Sequence, residues 1–159
     1  MSFQKILVPY DGSKFSDKAL ETAIGIAKMS GQNTELILLH VTPFIPIPLT
    51  FERPVYYAKT GKSIPLTQYI KELTKEMEEN ASTMMDEVKK KYTDKEIKIE
   101  NVLLHGYPPE KIIEFANEQK VDLIVIGSVG LSGFSRVKAL GSVSRNVSER
   151  ASCPVLIVH

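Results

Sequence analysis

The sequence predicts an α/β fold: a doubly wound (Rossmann-like) five-stranded parallel sheet with helices on both faces. Two observations carry this expectation. Five short apolar runs recur along the chain, the first rich in β-branched residues, and the segments between them place apolar residues at helical spacing. Apolar runs without alternation suit strands covered on both faces. Right-handed crossovers then carry each intervening helix back over the sheet.

The first run, residues 5–9, ends in Tyr10-Asp11-Gly12-Ser13, whose Asp, Gly and Ser are turn and cap residues. Ala19, Leu20, Ala23, Ile24 and Ala27 follow at helical spacing, with Ser13 or Ser16 as N-cap and Gly31 as the stop. Further strands are predicted over 36–41, 99–104, 123–126 and 154–158. Helices are predicted over 66–92, over 109–119 with proline in the first turn, and over 142–151. In the longest of these, Ile70, Leu73, Met77, Ala81, Met84 and Val88 form one apolar stripe flanked by Lys and Glu, so its methionines belong to the core.

Residues 42–65 hold five prolines, too many for a regular element, and read as a long loop inserted in a single domain spanning 1–159. Its aromatics Phe44, Phe51, Tyr56 and Tyr57 fit packing onto the sheet edge, with a lid or partner surface as the alternative.

Twenty basic and nineteen acidic residues leave a formal charge of +1, which gives no field for holding nucleic acid or an anionic membrane. The lone Cys153 cannot form an intramolecular disulfide, and no basic-then-apolar leader or membrane-length apolar run occurs, so a soluble cytoplasmic protein is expected. His40, His105 and His159 lack the short spacing of a zinc pair and read as structural or solvated.

Ligands on open parallel sheets bind outside the carboxyl ends of the strands, where the connections diverge. That rule selects residues 9–13, 41–43, 106–108 and 127–142. In the last segment Gly127, Gly130 and Gly133 follow a strand, and Gly141-Ser142 opens a helix. Glycines alone can simply build a turn. Here they bracket a strand exit and a helix entry, where free amides and the helix dipole suit phosphate. Arg136, Lys138, Arg145 and Arg150 face only Glu149 in this stretch, which favours an anion. It is neither a Walker loop nor the dinucleotide fingerprint. Asp11, after the first strand, can cap the next helix, bind a ligand, or do both.

The pattern Gly127-x-x-Gly130 followed by Gly141-Ser142 resembles the nucleotide-binding signature of the ATP-binding universal stress proteins. The opening Val8-Pro9-Tyr10-Asp11-Gly12-Ser13 and closing Cys153-Pro-Val-Leu-Ile-Val158 resemble that family too, so the likeness spans nearly the whole chain. The resemblance implies that Asp11 and Val41 meet adenine, with Pro9 at the same edge. It also implies that Gly127, Gly130, Gly141, Ser142 and Val143 hold ribose and phosphates. The ten residues between Gly130 and Gly141 exceed the family's usual spacing by one, which predicts a bulge that shifts Ser132 and Gly133 relative to the phosphates.

The implied function is an ATP-dependent switch in a stress response, with magnesium on the phosphates and hydrolysis at most slow, because no hydrolytic motif is present. The alternatives are an interaction module that binds no nucleotide and a genuine ATPase. A homodimer through the exposed final strand is expected, with a further protein partner of unknown identity. Replacing Gly127 or Gly130 with a bulkier residue is expected to weaken ATP binding and leave the fold intact.

Overall fold

The computed structural model describes residues 3–31, 34–46, 53–92, 97–131 and 140–159. Strand β1 (Lys5–Pro9) lies at the centre of a five-stranded parallel sheet. On one side of it come β2 (Glu35–Thr42) and then β5 (Lys98–His105); on the other come β6 (Leu123–Gly127) and then β7 (Val155–Val158). Leu7 pairs with Ile37 of β2 and Ile124 of β6, which fixes the register across the centre.

Alternation along these strands sorts their side chains into two cores. Ile6, Val8, Leu36, Leu38, Leu123 and Val125 pack toward α1 (Lys14–Ser30) and Met85 of α2 (Leu66–Tyr92). Leu7, Ile37, Leu39, Ile124 and Ile126 pack on the other face, toward α3 (Pro108–Glu118) and Val147 of α4 (Ser142–Arg150). Each fully buried Leu, Ile or Val side chain contributes about 1.5–3 kcal/mol, and two-sided burial is why these runs carry no polar alternation.

Helix α1 starts where Ser13 accepts a hydrogen bond from the Ser16 amide at 3.1 Å, and it stops at Gly31, whose φ of 113° disfavours any side chain. The methionine of α2 that is fully buried is Met85; Met84, the neighbour on the predicted stripe, is only partly covered.

The inserted segment is not all loop. Strands β3 (Val55–Tyr57) and β4 (Lys62–Ile64) form an antiparallel hairpin. Pro54 and Pro65 lie just outside its strands, so no ladder position lacks an amide, and Gly61 supplies a positive φ of 66° at the turn. Tyr57 packs edge-on against Tyr69 of α2 at 5.7 Å between ring centres. Phe44 and Tyr56 are 74% and 67% exposed, so they do not pack on the sheet edge; Phe51 lies outside the described residues.

The chain runs outward from β1 through β2 to β5, then returns to the far side of β1 for β6 and β7. Strand order therefore reverses between β1 and β6, and the loops leaving these strands diverge there.

Candidate functional site

A cleft of about 620 Å³ opens at that point of divergence. Its wall is formed by the carboxyl ends of β1, β2 and β6 and by the start of α4. Pro9, Asp11, Val41, Gly127, Gly130, Gly141, Ser142 and Val143 all border it. The two other predicted site residues, Ser132 and Gly133, lie outside the described residues, as do Arg136 and Lys138.

The turn after β1 is built tightly. Tyr10 continues the ladder, donating its amide to the Leu39 carbonyl at 2.8 Å. Gly12 holds a φ of 79°, and a Cβ there would stand 2.7 Å from the Met84 sulfur. Asp11 uses both carboxylate oxygens: Oδ1 accepts the Ser13 amide at 3.0 Å, and Oδ2 accepts the Leu131 amide at 3.1 Å. It therefore closes the turn that starts α1 and also bridges to the glycine segment. The Tyr10 hydroxyl donates to Asp17 at 2.6 Å, and burial with that bond holds it protonated well above the usual tyrosine range.

The glycine segment leaves and re-enters the fold at one residue. The Ser128 amide donates to the Val158 carbonyl, and the Ser128 carbonyl accepts both the Gly141 amide and the Ser144 hydroxyl, each bond being 2.8 Å. This neck sets the entry to α4; the bulge expected from the extra residue between Gly130 and Gly141 lies outside the described residues. Gly141 is the N-cap of α4 and has no side chain to cap it, and no acidic residue occupies the first turn. The opening of α4 borders the cleft with the partial positive charge of a helix N-terminus.

The glycines differ in purpose. A Cβ on Gly127 would lie 2.7–2.8 Å from the Phe15 backbone and Cβ, so this glycine admits the first turn of α1 against β6. The expectation that a bulkier residue at 127 spares the fold is thereby overturned: the obstacle is helix backbone, which cannot rotate aside. A Cβ on Gly130 would lie 2.7 Å from Asp11 Oδ2, whereas Gly141 has 3.4 Å to its nearest neighbour.

At the β2 side the wall is mostly apolar, with Leu39, Val41, Pro43, Pro108, Ile112 and Met77. His40 also lines it, and its Nδ1 lies 2.8 Å from the Tyr10 carbonyl; because a carbonyl only accepts, Nδ1 carries the proton. Sequence reasoning missed Met77, which the apolar stripe of α2 assigns only to core, and Ile112, whose helical spacing does not say which wall α3 supplies; Pro108 belongs to the loop 106–108 selected from the sequence. Asp11 is the one carboxylate lining the cleft among the described residues, and among them no group of three or more His, Cys, Asp or Glu gathers to hold a metal ion. No described helix is long and apolar enough to cross a membrane.

The chain is similar to known proteins over its full length. The universal stress protein family profile matches residues 2–159. Universal stress protein YxiE of Bacillus subtilis is 35% identical over 157 residues, covering 99% of both chains. Universal stress protein MJ0577 of Methanocaldococcus jannaschii is 30% identical, covering 98% of this chain and 94% of its own. The solved structure of MJ0577 superposes with a TM-score of 0.79 over 99% of this chain and 96% of its own, at 28% identity. A universal stress protein solved in complex with cAMP superposes at 0.60, with 28% identity and coverage of 100% and 98%. With a family profile matched over residues 2–159 and a relative 35% identical over 99% of both chains, the chain belongs to the universal stress protein family.

Proposed function

We propose that the cleft binds an adenine nucleotide, ATP with magnesium on its phosphates, and that occupancy makes the chain a switch read by another protein. The observation that carries this reading is the meeting, in one cleft, of an apolar wall at β1 and β2 with the uncapped N-terminus of α4. A flat apolar base fits the first, and phosphate oxygens fit the second. The base lies by Pro9, Asp11 and Val41; ribose and phosphates lie along Gly130, Gly141, Ser142 and Val143. Gly127 serves this arrangement by letting α1 and β6 approach. The cAMP complex of a relative supports an adenine ligand. Magnesium rests on phosphate oxygens and water, since Asp11 is the one carboxylate lining the cleft among the described residues and a single carboxylate does not make a metal site. Hydrolysis is at most slow and resets the switch.

Protein freshly purified and then denatured should release an adenine nucleotide detectable by chromatography. Nucleotide-free protein should bind one ATP in calorimetry, and ATP at a hundred times its Kd should stabilise the fold by about 2.7 kcal/mol. The Gly141→Asp variant separates folding from binding. An aspartate at the N-cap accepts the amides that phosphate would use and also repels it, so thermal stability should hold or rise while ATP affinity falls at least about tenfold. Absence of any nucleotide binding by the unaltered protein would overturn the reading in favour of an interaction module.

A further inference from the structure

We infer that Asp11 is a positioning residue for the glycine segment, an anchor that ties the turn after β1 to the backbone at Gly130 and Leu131. This rests on the nucleotide reading above but assigns Asp11 work beyond meeting the base. Its Oδ2 accepts the Leu131 amide across 120 positions of sequence, while Oδ1 accepts Ser13 within its own turn. The carboxylate thus joins, among the described residues, the two loops that flank the reversal in strand order. A charged acceptor makes a stronger bond to an amide than a neutral one. Gly130 fits this role: a methyl there would stand 2.7 Å from Oδ2 and push the carboxylate off the Leu131 amide. The absence of a side chain at 130 is therefore explained by the anchor itself. With the anchor in place, the start of the segment is held beside α1 before any ligand arrives, and the nucleotide meets amides already in position.

Asp11→Asn tests this, because asparagine keeps the shape and can still accept Ser13, yet it can no longer accept both amides. In the nucleotide-free protein, hydrogen exchange at the Leu131 amide should accelerate at least about tenfold, while amides of β1 and β6 are unchanged. Unchanged exchange at Leu131 would overturn the anchor whatever the nucleotide result. Calorimetry then compares ATP with adenosine: the anchor predicts at least about fivefold greater loss for ATP, because the displaced segment serves the phosphates. Equal losses for both ligands would leave Asp11 a base contact only, and tighter ATP binding would show that its charge, not its tether, governs the site; either result overturns the inference.

A second variant guards against a simple folding effect. Gly130→Ala should reproduce the faster exchange at Leu131, and in an Asp11→Ala background it should add almost nothing, since the obstructing carboxylate is gone. Additive effects of the two substitutions would contradict direct contact. Failure of ATP to bind the unaltered protein would sink the nucleotide reading, yet the exchange experiment would still decide whether the anchor exists.

Discussion

Gly127 and Gly141 border the same cleft but answer to different constraints, and substitution should separate them. Gly127→Ala drives a methyl into the Phe15 backbone and should lower stability by about 1–3 kcal/mol, read as a drop in denaturation midpoint. Gly141→Ala, with ordinary space and a φ of −62°, should change stability far less. Ser13→Ala removes the acceptor for the Ser16 amide and should cost about 0.5–2 kcal/mol, measurable by urea denaturation. At this scale the sequence was legible where chemistry is local. The Asp-Gly-Ser turn announces its cap, and eight of the ten predicted site residues border the cleft. It was illegible where the reason lies across the fold: nothing near Gly127 in sequence reveals that a helix backbone presses on it, and nothing near Asp11 reveals the Leu131 amide.

Among the elements, β2 and β5 carry a pair that makes stability depend on pH. Lys98 donates to Glu35 at 2.6 Å, and this bond holds the Glu35 carboxyl below its usual range. A lowered folded-state pKa adds stability above the unfolded-state value and loses it as pH falls through the folded-state value. Glu35→Gln should therefore lower stability at neutral pH and flatten its fall on the acid side, so that the two proteins converge at low pH; the size is modest because Lys98 is well exposed. The same element scale shows what periodicity conveys. The helix over 66–92 has the expected bounds, since a long apolar stripe specifies it. The hairpin of β3 and β4 was missed because each strand is three residues long, too short for alternation to register, and because prolines that flank the ladder look in sequence like prolines that break it.

For the molecule as a whole, the sheet was legible because two-sided burial leaves an unmistakable apolar signature, whereas the order of its strands rests on crossovers the sequence does not spell out. That order leaves β7 at one edge, with Leu156 38% exposed. We propose that a second copy pairs along this edge, and Leu156→Lys would set a charge into the shared face. Sedimentation should show a dimer for the unaltered protein and a monomer for the variant; a dimer in both would place the interface elsewhere. Ser128 has a wider consequence. Because its carbonyl receives both Gly141 and Ser144 while its amide reaches Val158, the start of α4 is tied directly to the exits of β6 and β7. The sheet itself thus carries the helix start to the cleft, and the uncapped amides there inherit the rigidity of two strands.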